Sequence, residues 1–330
     1  MKKIAIIHTG GTFGMVPIQP ADILAPGDIQ NQIHDFLPEI ARLADITVFV
    51  PFNLDSSEIG IPEWEQLGSI IDQGMSAYDG FVLIHGTDTM VYTAAALSFS
   101  LRNLKKPVIL TGSQRPLSKL RSDARSNLID AVELATMDIP EVLIVFGQKI
   151  LRGNRTKKLS ITHYSAFDSP NFPLLGEIGL NIQLNQKLIL KPVDDYFFLK
   201  GFVPQVAVVS IYPSLSPDFY YPLIKNPKIR IIILRGFGAG HFPHLNPDWL
   251  SFVKNAFDEG KLVFIGSHST HGSVDLNLYE SGKKAAELGA VGLAGLTIEA
   301  AYVKLLKILA LTTDSEEIKI QLMQNWSGEV

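Results

Sequence analysis

A two-domain α/β protein, with the larger and mostly parallel sheet first, is what this 330-residue sequence predicts. Three observations carry that prediction. Short apolar runs alternate with longer amphipathic stretches, the pattern of parallel strands joined by right-handed helical crossovers. The alternation stops after Gly147 and resumes at Val206. Four of the early strands end in hydroxyls and glycines, at the sheet edge where open α/β sheets place their ligands.

The elements follow in order. Ile4–Ile7 is a short apolar run, as expected of a strand buried on both faces, and His8-Thr9-Gly10-Gly11-Thr12 follows it. Two adjacent glycines allow a sharp turn and a close backbone approach. Further strands are read at Ile46–Phe52, Phe81–His85, Val108–Thr111 and Val142–Phe146, with helices at Trp64–Met75, Tyr92–Leu104 and Ser122–Met137 between them. Pro62 and Glu63 suit the opening turn of the first helix. Residues 150–200 are polar and rich in Pro, Asn and Gly, which reads as a hairpin or extended arm, with a linker over Leu188–Val203. A second alternating set has strands at Val206–Ile211, Ile229–Leu234, Leu262–Ile265 and Val291–Ala294. Its helices are Pro247–Asp258, Tyr279–Leu288, Thr297–Thr312 and Ser315–Asn325. Asp314-Ser315-Glu316-Glu317 is N-terminal helix chemistry for the last of these. The expected boundaries are 1–190 for the first domain, 191–205 for a linker and 206–330 for the second. No internal repeat or low-complexity tract interrupts the pattern.

Composition narrows the function. With 46% hydrophobic and 19% charged residues the chain reads as soluble and globular. A net charge of −4 gives no general attraction to nucleic acid or anionic membrane. The absence of cysteine excludes disulfides, thiolate metal sites and a cysteine nucleophile. The four apolar residues after the N-terminal lysines are too few for a secretory core of about 7–15 residues, so a cytoplasmic protein is expected.

The polar clusters are Thr9–Thr12, Asp55-Ser56-Ser57-Glu58, His85-Gly86-Thr87-Asp88-Thr89 and Thr111-Gly112-Ser113-Gln114-Arg115-Pro116. Any one of them alone is a turn or a helix cap more often than a site. Four at one sheet edge favour a site. Asp88 offers a carboxylate to an ammonium or a lysine, while Ser56, glycine N–H groups and helix N-termini offer donors to a carboxylate or oxyanion. That combination suits a zwitterionic amino acid. A threonine nucleophile needs a nearby base. His8 and His85 sit at strand ends, where a structural role is the ordinary one. Lys149–Lys158, with five basic residues in ten, reads as a solvated charged loop, as a weak RNA-binding patch, or as a segment that turns one lysine inward.

HTGGTFGM at 8–15 and HGTDTMVYTAAALSFSL at 85–101 together resemble the two signatures of the L-asparaginase family, in particular its bacterial type I, cytoplasmic branch. KPVILTGSQRPL at 106–117, RSDARSNL at 121–128, LRGNRTKK at 151–158 and ILRGFGAG at 233–240 extend the resemblance over nearly the whole chain. It implies a flavodoxin/Rossmann-like N-terminal domain, a smaller C-terminal α/β domain, and two-step hydrolysis of the side-chain amide of L-asparagine without a cofactor or metal. Thr12 would attack the amide carbon to give a β-aspartyl enzyme that water releases. Thr87, Asp88 and Lys158 would handle protons. Asp88 would hold the α-ammonium, and Ser56, flanked by Asp55 and Ser57, the α-carboxylate. The backbone N–H groups of Thr87 and Ser113 would stabilise the oxyanion, with Gly11 and Gly86 lining the pocket. The family also implies close pairing into homodimers or homotetramers, for which helices at 279–288 and 297–312 offer an interface or equally a core.

Two departures stand out. Type I relatives carry a lid tyrosine in a Gly-Tyr-Ile-Pro-like stretch, whereas this chain has Ile23-Leu24-Ala25-Pro26 and no tyrosine before Tyr78. Glu58-Ile59 stands where an Asp/Asn-Met pair is usual. The first predicts that another group closes on Thr12, or that activity or substrate preference is altered. Gly266–Gly272 lies where some relatives hold a cysteine-containing effector loop, and without cysteine that control does not carry over. The competing readings are a glutaminase or other small-amide hydrolase, a dinucleotide-binding enzyme that Gly10-Gly11-x-x-Gly14 fits poorly, and a non-catalytic amino-acid sensor. His241/His244 and His268/His271 raise a metal site that no carboxylate motif supports.

Overall fold

The structure is a computed structural model that describes residues 1–18, 23–26, 33 and 37–330, with backbone alone at 15–18 and 23–26. The chain divides into a unit of Met1–Lys200 with Trp326–Gly328, and a second of Gly201–Asn325 with Glu329–Val330.

The first unit is built on an eight-stranded sheet. Its parallel part comprises β1 (Lys3–His8), β4 (Asp45–Phe49), β5 (Gly80–Ile84), β6 (Val108–Thr111) and β7 (Val142–Phe146), in the order β4-β1-β5-β6-β7. The chain therefore runs from β1 outward to β4, then back past β1 to β5. This reversal is the topological switch point of a doubly wound sheet, and it opens a crevice between the carboxyl ends of β1 and β5. Three antiparallel strands complete the far side: β8 (Lys149–Arg152), β9 (Gly176–Ile178) and β10 (Ile182–Leu184). They are the hairpin arm expected after Gly147.

Both sheet faces are covered, which is why its strands are apolar runs. Ile4 and Ile6 of β1 pack with Val82, Ile84 and Ile109 beneath Leu128, Ala131 and Val132 of α3 (Ala124–Ala135). Ala5 and Ile7 face the opposite core, with Leu67 and Ile71 of α1 (Ile61–Gly74) and Val91, Ala94 and Leu97 of α2 (Met90–Ser100). The first helix begins three residues before the predicted Trp64. Pro62 sits in its first turn and the Glu63 carboxylate accepts from the Gly60 N–H at 2.9 Å, one arm of a capping box.

After β1 the chain forms a 3-10 turn, Thr12–Gly14, and a hairpin of β2 (Met15–Ile18) and β3 (Ile23–Pro26), which the sequence reading lacks. Leu24 pairs with Pro17 in this ladder. Its side chain, at the expected lid position, lies outside the described residues.

The second unit holds a four-stranded parallel sheet in simple order: Val206–Ser210, Ile231–Gly236, Leu262–Ser267 and Val291–Gly292. Trp249, Phe252 and Val253 of the helix Trp249–Asp258 cover Ile232, Leu234, Val263 and Ile265. The helix Ile298–Ile308 buries Ala300, Ala301, Val303, Leu305 and Leu306 within the chain. The helix Glu280–Glu287 packs Ala285 and Ala286 on the same core as Trp249, the core role being one of the two the sequence reading left open. None of the helices among the described residues is long and apolar enough to cross a membrane.

Candidate active site

The switch point is assembled backbone first. Thr9 N–H donates to Ile84 O at 2.9 Å, Leu54 N–H to Thr9 O at 3.0 Å, and Gly11 N–H to Leu54 O at 3.2 Å. The loop after β1 is thereby laced to the loop after β4 and to the end of β5. Gly10 and Gly11 have φ of +114° and +80°. A Cβ on Gly10 would stand 2.1 Å from Leu54 O, and one on Gly11 2.5 Å from the Gly86 Cα. Both positions demand glycine for conformation and for space. A Cβ on Gly86 would in turn meet Ser56 Cβ at 2.6 Å. Gly86 thus touches both Gly11 and Ser56, and Thr12 and Thr87 directly follow Gly11 and Gly86. Thr12 opens the 3-10 turn and is half-buried.

Lys158 reaches this point from the arm. Its Nζ donates to Thr87 Oγ1 at 2.8 Å and to Asp88 Oδ1 at 2.5 Å. The lysine side chain is 14% exposed and the Asp88 carboxylate 68%, so the pair opens to solvent on the aspartate side. The rest of the basic run is structural. Arg152 is buried against Glu141 at 2.7 Å and donates to Leu188 O and Gly328 O. Arg155 is buried too and donates to Gly328 O. Lys149 pairs with Asp168 at 2.8 Å. Removing one member of the buried Arg152–Glu141 pair would strand the other charge, so the pair is costly to break.

Asp55 and Ser57 turn toward each other. The Asp55 carboxylate caps the turn Ser56–Glu58, accepting from Ser57 N–H at 2.8 Å and Ser57 Oγ at 2.7 Å, and these bonds lower its pKa. Ser56 is buried, and its carbonyl accepts from Thr89 Oγ1. Ser113 is buried with its Oγ donating to Arg115 O at 2.6 Å. The backbone N–H groups of Thr87 and Ser113 have no acceptor among the described residues. A Cβ on Gly112 would stand 2.3 Å from His85 O, so this loop also lies against the His85-Gly86 turn. Three polar residues here were given no role in the sequence reading, although Thr89 and Gln114 stood in its polar clusters. Thr89 ties the serine loop, Gln114 accepts from Thr87 Oγ1 at 3.5 Å while donating to His163 O, and Asp123 holds the Ser113 loop from behind. Gln114 and Asp123 stand inside the family-like blocks, which was the available signal.

Both strand-end histidines are neutral. Burial pushes His85 down to about 4. Its Nδ1–H donates to Gly86 O at 2.7 Å, which leaves Nε2 to accept from Thr93 Oγ1 at 2.9 Å, while Trp64 Nε1 donates to Thr93 Oγ1 at 3.1 Å. The network assigns the tautomer and fixes the Gly86 carbonyl. Burial also lowers His8 to about 4, and its Nδ1 has no hydrogen-bond partner among the described residues. Neither is placed as a base for Thr12.

A test in solution follows from His8. The unfolded chain takes up this proton near 6.5 and the folded chain only near 4, so the native state loses stability as pH falls between these values. Asp130, raised to about 6 by burial, works in the opposite direction over part of the same window. The contribution of His8 is therefore read as a difference. Between pH 7 and pH 4, His8→Phe should gain roughly 3 kcal/mol on the wild type in urea melts, and a pH-independent difference would refute the assignment.

In the second unit three of the four histidines of the spaced pairs rest against aromatic or carboxylate neighbours. The His241 ring lies 4.3 Å from that of Tyr279, His268 stacks on Phe237 at 5.6 Å, and His244 pairs with Glu280 at 3.6 Å. Among the described residues no three or more His, Cys, Asp or Glu side chains gather as metal ligands would.

The fold and the family model that covers it are those of an amidohydrolase. More narrowly, the chain belongs to the asparaginase family: residues 3–190 match its N-terminal domain and residues 205–322 the glutaminase/asparaginase C-terminal domain. It is 37% identical to L-asparaginase 1 of Escherichia coli (strain K12), over 100% of this chain and 98% of that one. The crystal structure of L-asparaginase I from Vibrio cholerae O1 biovar eltor superposes with a TM-score of 0.89 at 35% identity, covering 100% of this chain and 99% of the other. A probable cytoplasmic L-asparaginase from Campylobacter jejuni gives 0.82 at 27% identity, covering 98% and 100%.

Proposed function

We propose that this chain hydrolyses L-asparagine to L-aspartate and ammonia, with Thr12 as the nucleophile. The observation that carries the reading is the Lys158–Thr87–Asp88 triad, set at 2.8 and 2.5 Å beside the Gly11–Gly86 contact from which Thr12 emerges. Thr12 Oγ attacks the side-chain carbonyl carbon. Its proton passes toward the Thr87 hydroxyl and the Lys158 amine in its neutral form. The carbonyl oxygen, now carrying the negative charge, is received by the Thr87 and Ser113 N–H groups, each such donor commonly worth about 2.7–4 kcal/mol. The C–N bond breaks, ammonia leaves with a proton, and a β-aspartyl ester remains on Thr12. Water then attacks the ester by the same relay and frees L-aspartate.

Asp88 takes the substrate's α-ammonium, and Ser56 with its neighbours Asp55 and Ser57 takes the α-carboxylate. Gly11 and Gly86 keep the floor of the pocket free of side chains. L-Glutamine is the natural side substrate, because one methylene separates the two amides and such discrimination is worth only about 1–3 kcal/mol. No step calls on a metal or cofactor. The lack of cysteine and the likeness to a probable cytoplasmic relative support a cytoplasmic location, and the family supports a homodimer or homotetramer. Ammonia release measured with L-asparagine and with L-glutamine tests the reading, with faster release expected from L-asparagine. Tight binding of L-asparagine without any ammonia would overturn it in favour of an amino-acid sensor.

A further inference from the structure

Asp123 is the N-cap residue of α3, yet its side chain makes no capping bond to that helix. An aspartate at this position ordinarily accepts from the second or third N–H of its own helix, a bond typically worth about 1 kcal/mol. Here the first helical N–H, that of Ala124, is satisfied instead by Ser122 Oγ at 3.0 Å. The Asp123 carboxylate turns the other way, into the loop after β6. Gln114 N–H donates to both its oxygens, at 2.9 and 3.1 Å, and Arg115 N–H to Oδ1 at 3.1 Å.

One turn along α3, Asn127 completes the arrangement. Its Nδ2 donates to Asp123 Oδ2 at 3.2 Å and to Gly112 O at 2.9 Å, while its Oδ1 accepts from Gly147 N–H at 3.3 Å. Asp123 and Asn127 are 7% and 2% exposed. The backbone on both sides of Ser113 is thereby hydrogen-bonded to one buried pair. A cavity of about 490 Å³, lined also by Asp130, Gly147 and Tyr164, opens beside that pair. Besides the packing of Gly112 on the His85-Gly86 turn, the loop is held by these hydrogen bonds, and a charged acceptor makes the stronger ones.

We propose that Asp123, backed by Asn127, is a positioning residue that holds the loop Gly112–Arg115 so that the Ser113 N–H points at the developing oxyanion. The same anchor fixes the backbone of Gln114, whose side chain accepts from Thr87. This rests on the amide-hydrolase reading above. The preorganisation is electrostatic, because a backbone donor counts toward the transition state only if it is already aimed where charge develops. Substrate-binding groups at Ser56 and Asp88 lie on other loops, so the anchor should act on turnover and leave binding largely intact.

The decisive variant is Asp123→Asn, which keeps the shape but replaces one acceptor oxygen with a donor that faces the loop's N–H groups. Its kcat for L-asparagine should fall tenfold or more with KM within threefold of wild type, and Asp123→Glu should recover part of the loss. Amide hydrogen exchange at Gln114 and Arg115 should speed up at least tenfold, while the Thr9–Gly11 backbone bonds stay protected. Wild-type kcat in Asp123→Asn, or unchanged exchange at these two amides, would overturn the proposal. If that variant does not fold, Asn127→Ser is read by the same two measurements, with a smaller kcat loss of threefold or more expected. Should the wild type release no ammonia from either amide, the functional reading fails and the exchange measurement alone decides whether Asp123 holds the loop.

Discussion

Thr12→Ala should lower ammonia release from L-asparagine by at least about four orders of magnitude, the scale on which removing a catalytic nucleophile acts. The loss should fall on kcat. The change deletes a hydroxyl and a methyl from a half-buried position and touches none of the bonds that lace Thr9, Leu54 and Gly11. The glycine contacts that set the turn are backbone contacts, so the pocket keeps its form. Binding of L-asparagine, followed calorimetrically with the inactive variant, should remain within a few-fold of the wild-type KM, since the α-carboxylate and α-ammonium are held elsewhere. Thr12→Ser keeps a hydroxyl and should retain measurable activity. Ammonia release by Thr12→Ala at a tenth of the wild-type rate would remove Thr12 from the nucleophile's role.

Lys158→Met should cost about three orders of magnitude in kcat, within the 10²–10⁴ range for a positioned proton acceptor and with a further loss from the unpaired Asp88. Lys158→Arg separates the two contributions. An arginine restores the positive charge beside Asp88 and can donate to Thr87 Oγ1, but it is not deprotonated in proteins. If Lys158 takes the proton, the arginine variant stays close to the methionine variant in kcat while recovering substrate affinity. If the lysine serves only as the counter-ion seen at 2.5 Å from Asp88, the arginine variant recovers most of the rate. Recovery to within threefold of wild type would therefore exclude the proton-accepting role.

The convergence of the polar clusters was legible in the sequence. The clusters at 9–12, 55–58, 85–89 and 111–116 all follow strands of one parallel sheet, and the structure packs Gly11, Ser56 and Gly86 together and lays Gly112 on the His85-Gly86 turn. Lysine 158 was harder, because five basic residues in ten look alike in sequence. What distinguishes them is burial and partner: Arg152 and Arg155 hold backbone carbonyls inside the protein, and Lys158 alone meets Thr87 and Asp88. Asp123 shows a different kind of limit. The sequence reading placed it inside the helix Ser122–Met137; the structure makes it the N-cap, and the approach of a loop eight residues earlier in the chain recruits its carboxylate elsewhere.

The sequence by itself determined the two-layered alternation of strands and helices, the glycine turn after the first strand and the family of the chain. The first two rest on local periodicity and on residues with unique backbone freedom and the family on the resemblance of its motifs, all of which a linear reading can see. Tertiary structure alone decided the strand order β4-β1-β5, which puts the switch point between Thr12 and Thr87. It alone decided how Lys158, which the resemblance had named, meets Thr87 and Asp88, and which way the Asp123 carboxylate faces. These are choices among side chains of the same type or among partners distant along the chain, and their energies exist only once the sheet has brought the loops together.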